Sequence, residues 1–314
     1  MNRPAGNQGD RQQGSVVASV GMETSTRVVR SADGDPIHVE GFGAPDGKPV
    51  LVHSGSPGSR RLFRPDAELA ALFGLRLLSY DRPGYGGRSR RRGRRMSDAV
   101  TDVRCIAEAL GIERLGVWGF SGGGSYALAC AALLPDLVTG AAVFASFAPY
   151  GSPGLGFCQG WPRESRREVD LFFTDPSAAR DHWRQDAEQF LAACATPDGW
   201  MARWGDAAGR DEAHSRELAS HLAAVTRDSL EGGDDGYWDD WAAVLTPWGF
   251  DPTTIRVPVR LWHGSGDTAV PVAHGRWLAA GIPDAVAHFP ELEDHTTIED
   301  SNRKAAYSWL RELV

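Results

Sequence analysis

Gly119-Phe120-Ser121-Gly122-Gly123 decides how the rest of the chain is read. It fits the G-x-S-x-G pattern of a nucleophile elbow, and its flanks supply the context that pattern needs. Before it, Leu115-Gly116-Val117-Trp118 is a short apolar run that reads as a buried strand. After it, Ser125 to Leu134 is a run of small and apolar residues that reads as a helix stopping at Pro135. A serine on so tight a turn is held in a strained backbone conformation, so small residues must flank it for strand and helix to approach. The N-terminus of the helix then lies beneath the hydroxyl, where free N–H groups can stabilise developing negative charge.

Outward from this point the pattern alternates. Thr26–Arg30 and Ile37–Gly41 read as an antiparallel hairpin around Asp33-Gly34. Pro49–His53 and Leu75–Tyr80 read as strands, separated by a helix over Phe63–Phe73. Ser97 is placed to cap a helix with Asp98 in its first turn, an apolar stripe of Val100, Val103, Ile106, Ala107 and Leu110, and Gly111 at its end. A strand at Gly140–Ala145 follows the elbow helix. Strands alternating with helices imply a mostly parallel central sheet flanked by helices on both faces, an α/β fold. The alternation breaks near Pro149. The next hundred or so residues carry Trp161, Trp183, Trp200, Trp204, Trp238 and Trp241 and helical stretches, the clearest at Asp181–Ala195 and Ala213–Asp228. It resumes with a strand over Val257–Trp262, a helix over Val272–Ala280, a strand over Ala285–Phe289 and a helix over Ile298–Leu313. The expected organisation is a disordered tail over residues 1–25, core over 26–149, a helical cap over 150–249 inserted after the strand that follows the elbow, and the rest of the core over 250–314.

Composition is that of an ordinary globular protein: 314 residues, 42% hydrophobic, 24% charged. A net charge of −8 argues against general affinity for nucleic acid or anionic membranes. Arg88, Arg90, Arg91, Arg92, Arg94 and Arg95 form a dissenting basic run, read as a solvated loop rather than as a trap for an anionic substrate. Cys105, Cys130, Cys158 and Cys194 show neither C-x-x-C spacing nor metal-ligand clustering. Cys105 and Cys130 read as small buried hydrophobes, which suits a reducing cytoplasm. The segment up to Gly21 resembles neither a secretory signal nor an anchor, and no run approaches the roughly 20 apolar residues needed to span a bilayer. Nothing implies a cofactor or a metal, and the oligomeric state stays open.

Three local signatures give the chain a resemblance to the α/β-hydrolase superfamily with an inserted helical cap, over about residues 26–314. Ser54-Gly55-Ser56-Pro57-Gly58-Ser59 is similar to the H-G-x-P-G-S loop, and Asp81-Arg82-Pro83-Gly84-Tyr85-Gly86-Gly87 to the D-x-x-G-x-G loop. The third signature is the Ser121 elbow. One departure is plain: the histidine expected before the first loop glycine is Ser54, with His53 one position earlier.

The resemblance implies a base and a carboxylate following Ser121 in the order Asp/Glu, then His. Asp267 follows the strand ending at Trp262-His263, and His295 follows the next strand, so both lie at carboxyl ends of adjacent strands, where parallel sheets carry their ligands and catalytic groups. His53 and His263 are rival bases at strand ends. Asp294 is a rival carboxylate, though an immediate neighbour rarely reaches its partner's ring. His182, His214 and His221 default to the surface of the inserted helices, and His38, His274 and His288 to solvent-facing positions. Asp81 is expected to fix the Arg82–Gly87 loop. The oxyanion donors expected are the backbone N–H groups of Gly122 and Ser56, with the Ser56 hydroxyl available for a further contact. The resulting expectation is a cytoplasmic serine hydrolase acting on a small, apolar acyl substrate, ester or lactone first, amide or activated C–C bond next. Two rivals stand beside it: a cofactor-free cyclase or lyase on the same scaffold, and a binding protein that has lost turnover.

Overall fold

The structure is a computed structural model that describes residues 23–204 and 212–314. Chain order begins with β1 (Glu23–Arg30), β2 (Pro36–Gly43), β3 (Lys48–His53), α1 (Arg64–Leu72), β4 (Leu75–Tyr80), α2 (Ala99–Leu110), β5 (Leu115–Phe120), α3 (Gly122–Leu133) and β6 (Val138–Phe144). Helices α4 (Arg163–Thr174), α5 (Pro176–Cys194), α6 (Pro197–Trp204), α7 (Glu212–Leu230) and α8 (Asp235–Leu245) follow. The chain then returns through β7 (Val259–Trp262), α9 (Val272–Gly281), β8 (Val286–His288) and α10 (Thr297–Leu313). Strand order in the sheet is β1-β2-β4-β3-β5-β6-β7-β8; β1 and β2 pair antiparallel, β2 meets β4 antiparallel, and every other pair is parallel. This is the α/β-hydrolase fold with a helical insertion between β6 and β7.

The sheet is covered on both faces because its strands present apolar side chains to both. Leu51, Leu78, Val117 and Val143 join the core formed with α2, α3 and α9. Their neighbours Val50, Leu77, Trp118 and Phe144 join the core formed with α1 and α10. Consecutive residues divide between opposite faces, as strand geometry requires. On the second face the rings of Trp118, Phe144 and Trp262 stack with centroids 4.4 and 4.7 Å apart across adjacent strands. The inserted helices carry a cluster of their own, in which Ala179, Trp183 and Ala187 of α5 pack with Leu230 and Tyr237. Phe157, Trp161 and Trp248, at the margins of the insertion, instead join the core of the main sheet.

Local differences from the sequence reading have physical causes. Residues 23–25 extend β1 in register with Gly43, Phe42 and Gly41, so that the last three residues of the expected tail are strand; its first 22 residues lie outside the described ones. Ser97 does not cap α2. A 3₁₀ turn over Met96–Asp98 leads into it, the Asp98 carboxylate accepts the Arg95 amide, and Ser97 donates its own amide to the Trp248 carbonyl. Gly111 does end α2, in the left-handed conformation. The elbow helix starts at Gly122, directly after the serine. Cys130 is buried, while Cys105 is only half-buried.

Candidate active site

Ser121 sits between β5 and α3 at φ 53°, the left-handed region that costs a side-chain-bearing residue energy and persists where the surroundings over-determine it. Its amide donates to the Phe144 carbonyl at the end of β6. The glycines around it are there for contact: a Cβ on Gly123 would lie 2.0 Å from the His53 carbonyl oxygen, so α3 could not approach β3 with any other residue there. Beyond β7 and β8, two loops are tied together, with the Ser265 amide donating to the Pro290 carbonyl and the Gly266 amide to Glu293. That zipper brings Asp267 and His295 to the elbow.

His295 Nδ1 lies 2.8 Å from Asp267 Oδ2, and His295 Nε2 lies 3.1 Å from Ser121 Oγ. Asp267 Oδ1 accepts the amides of Ala269 and Val270 at 2.9 and 2.8 Å. Burial alone would raise the Asp267 carboxyl; His295 and His263 beside it, with their hydrogen bonds, hold it below the usual carboxylate range. An ionised carboxylate can only accept, so Nδ1 carries the imidazole proton and Nε2 is left to accept from the serine hydroxyl.

The rivals are accounted for. His263 is buried and donates from Nε2 to the Val270 carbonyl at 2.7 Å, and that same nitrogen stands 3.4 Å from Asp267 Oδ2. His53 turns to the other side of β3, against Tyr126 and Cys130, and burial together with nearby Arg82 pushes its pKa down to about 3. Asp294 Oδ1 accepts the amides and hydroxyls of Thr296 and Thr297 and is committed to its own loop. Two surface expectations are corrected. His274 is fully buried, accepting the Ala148 amide at Nδ1 and donating to the Phe157 carbonyl, and burial pushes it down to about 4. His221 is half-buried on the cavity wall with its ring 5.0 Å from that of Phe63, and burial and Arg61 push it down to about 4.

Ser56 and Gly122 face one another: a Cβ on Gly122 would lie 2.6 Å from Ser56 Oγ and 3.7 Å from Ser56 N. The Ser56 hydroxyl does not face the nucleophile as a spare donor. It donates to Asp240 Oδ2 of α8 at 2.5 Å. Where the resemblance leads one to expect a loop histidine, Arg82 does the holding, donating to the carbonyls of Ser54 and Gly55 at 2.8 and 2.9 Å. Asp81, expected to fix the Arg82–Gly87 loop, is fully buried and reaches the other way as well, accepting the Arg60 amide and guanidinium; a Cβ on Gly86 would meet its carboxylate at 2.2 Å. Half of the basic run is solvated as expected and half is not. Arg88 pairs with Asp102 in the interior, Arg90 with Asp235 and Asp239, and Arg94 with Asp240, while Arg91, Arg92 and Arg95 are exposed.

A cavity of about 270 Å³ opens on Ser121 and His295. Leu62, Phe63 and Phe120 line it from the core, and Phe190, Trp200, Met201 and Leu222 line it from α5, α6 and α7. Charged side chains line it too: Asp66, Glu299, Asp300 and Arg303. Trp118 Nε1 donates to Glu299 there at 2.7 Å. Among the described residues no group of three or more His, Cys, Asp or Glu side chains is placed to hold a metal ion, and no helix is long and apolar enough to cross a membrane.

The model of the alpha/beta hydrolase fold family matches residues 48–301, and the chain belongs to that family. It is an enzyme, and its named relatives are hydrolases and esterases. One, the 2-hydroxy-6-oxononadienedioate/2-hydroxy-6-oxononatrienedioate hydrolase of Cupriavidus pinatubonensis, is 26% identical over 280 residues, 84% of this chain and 86% of that protein. Another, the pimeloyl-(acyl-carrier protein) methyl ester esterase of Chromobacterium violaceum, is 28% identical over 250 residues, 77% of this chain and 85% of that protein. Among solved structures, an esterase from Exiguobacterium antarcticum superposes with a TM-score of 0.65 at 18% identity, covering 92% of this chain and 99% of its own.

The residues that sequence reasoning missed are Arg82, Arg94, Tyr126 and Asp240. Trp238-Asp239-Asp240-Trp241 carries the one available signal, two carboxylates framed by tryptophans on a helix that buries them. Buried acids demand partners, but no spacing rule points from α8 to Arg82.

Proposed function

We propose that this protein is a serine hydrolase that cleaves an ester, lactone or similar acyl bond of a small, largely apolar substrate. The observation that carries the reading is the hydrogen-bonded chain Ser121–His295–Asp267, whose Ser121 and His295 line the cavity, with separations of 3.1 and 2.8 Å. In the reaction, His295 Nε2 takes the Ser121 proton as Oγ attacks the acyl carbon, and Asp267 stabilises the imidazolium that forms. The carbonyl oxygen, now an oxyanion, receives the N–H groups of Gly122 and Ser56. His295 then passes its proton to the leaving alkoxide, giving an alcohol and an acyl-Ser121 ester. Water attacks that ester with the same histidine as base and releases the acid.

Residues 150–249 act as a cap in this reading, supported by the walls that α5, α6 and α7 give the cavity. Those apolar walls support an apolar acyl or alcohol group, and the relatives' names support ester-type chemistry. Four free cysteines support a cytoplasmic setting. The test is labelling by a small fluorophosphonate, followed by a screen of acyl chain lengths. Labelling of the parent and its loss in Ser121→Ala are expected; an unlabelled parent, or a Ser121→Ala enzyme that still turns over esters, refutes the assignment. Product analysis in ¹⁸O-labelled water separates hydrolysis, which incorporates label in the acid, from rearrangement, which does not.

A further inference from the structure

The carboxylate of Asp240 is buried where helix α8 meets the loop after β3, and both of its oxygens are saturated. Oδ2 accepts from Ser56 Oγ at 2.5 Å, Arg82 Nη2 at 2.6 Å and Tyr85 OH at 2.8 Å. Oδ1 accepts from Arg94 Nη2 at 2.6 Å and Tyr126 OH at 2.8 Å. The Arg82 guanidinium reaches onward: the Nη2 that bonds Asp240 also donates to the Gly55 carbonyl at 2.9 Å. The Gly55 carbonyl and the Ser56 N–H belong to one peptide unit, which is planar, so fixing the oxygen and the side chain of Ser56 fixes the direction of the N–H between them. That N–H is the donor facing Gly122.

We propose that Asp240 is a positioning residue for the oxyanion hole: acting through Arg82 and the Ser56 hydroxyl, it orients the Gly55–Ser56 peptide toward the oxyanion. This rests on the reading of Ser121 as nucleophile. It also explains how the loop dispenses with the histidine missing at Ser54, since an arginine fork held by a carboxylate from the inserted helices supplies the same restraint. Acyl transfer chemistry and insertion docking are thereby linked, because α8 is the last helix of the insertion.

The test uses three variants of the whole chain. Asp240→Asn keeps the shape but loses the charge that holds Arg82. Ser56→Ala removes one hydrogen bond and leaves the backbone donor. Asp239→Asn is the control: its neighbouring carboxylate pairs with Arg90 and touches nothing in the loop. Removing an oxyanion donor outright costs about 10²–10³ in kcat, and a donor left in place but poorly aimed should lose part of that. Asp240→Asn is expected to lower kcat by about 10–100-fold with KM near the parent value, and to weaken an alkyl boronic acid, whose tetrahedral adduct occupies the hole, by the same factor. Ser56→Ala is expected to shift both in the same direction by about 3–10-fold. Asp239→Asn should lower Tm and leave kcat unchanged. A folded Asp240→Asn with parental kcat and boronate affinity overturns the inference; if that variant does not fold, Ser56→Ala at parental values overturns it. A parent that the fluorophosphonate does not label overturns the underlying reading instead.

Discussion

Replacing Asp267 by Asn should lower kcat by about 10⁴-fold without unfolding the protein. The carboxylate makes two kinds of contact: Oδ1 accepts two backbone amides, and Oδ2 faces His295 Nδ1. An amide in its place must choose which end turns which way. The backbone donors of Ala269 and Val270 cannot change, so the amide oxygen stays with them. The NH₂ is then aimed at Nδ1, where histidine can adapt by moving its proton to Nε2. In that tautomer Nε2 has a hydrogen and no lone pair for the Ser121 proton, so the base is lost while the geometry survives. At 1.36 kcal/mol per tenfold, the loss is ~5.4 kcal/mol of transition-state stabilisation. Hydrolysis of a p-nitrophenyl ester and the second-order rate of fluorophosphonate labelling measure it, with circular dichroism to establish folding. The internal comparison is Asp294→Asn, whose Oδ1 takes every bond the Thr296–Thr297 turn makes to it, so the amide can keep them all and activity should stay within about threefold. Equal losses in the two variants, or a loss below about tenfold in Asp267→Asn, would refute the tautomer argument.

Other outcomes follow from packing and charge. Gly123→Ala should cost at least the 1–3 kcal/mol typical of overpacking, because the new methyl meets the rigid His53 carbonyl at 2.0 Å and no side chain can yield; a chemical denaturation midpoint like the parent's would contradict this. Arg88→Ala strands the buried Asp102 carboxylate and should destabilise by about 3–5 kcal/mol, read from urea unfolding, whereas Arg92→Ala on the exposed stretch of the same run should cost under about 0.5 kcal/mol. Stability should fall as pH drops from about 6.5, where unfolded histidine begins to take up protons, toward the folded values of about 4 for His274 and about 3 for His53. The sign follows from linkage: these folded pKa values are depressed, so the unfolded chain binds more protons across that window and gains on acidification. Asp267 and Asp240, also held low in the fold, add to the loss below about pH 4, and a Tm that is flat between pH 7 and 4 would count against the buried neutral histidines.

Much of this molecule is legible in one dimension because its signals are local. The elbow announces itself through glycines that permit contact, and β4, read as Leu75–Tyr80, has those bounds in the structure. Asp267 and His295 are found because each follows a strand, and the parallel sheet gathers strand ends on one edge. What could not be read is what depends on distant pairing. His274 has the polarity and the helix position of a surface residue, yet two backbone partners 126 and 117 residues away draw it inside. The arginine run looks like a solvated loop by every local criterion. The pairing of Arg88, Arg90 and Arg94 is decided by Asp102, Asp239 and Asp240, the last two on a helix about 150 residues further along, and only the tertiary fold brings them together.

That pairing bears on why the insertion stays where it is. The small cluster around Trp183 and Tyr237 gives the inserted helices a core of their own, and such a unit could pivot about its two connections. Its last helix, however, offers Asp235, Asp239 and Asp240 to Arg90, Arg82 and Arg94 on the core side. Breaking those contacts by swinging α8 away would leave Arg82 and Arg94 as uncompensated charges in a low-dielectric interior, a cost of several kcal/mol each. Motion that admits a substrate is therefore expected from the part of the insertion that lacks such ties. Trp200 and Met201 of α6 line the cavity, and neither side chain carries a charge that could enter such a pairing. Replacing Trp200 by Ala should thus widen the range of acyl groups accepted, with the rate of labelling by a small fluorophosphonate held within about twofold, whereas Asp240→Asn should slow that labelling and leave the acyl preference in place. The opposite assignment, with selectivity moved by Asp240 and labelling by Trp200, would mean that α8 rather than α6 is the part of the insertion that yields to the substrate.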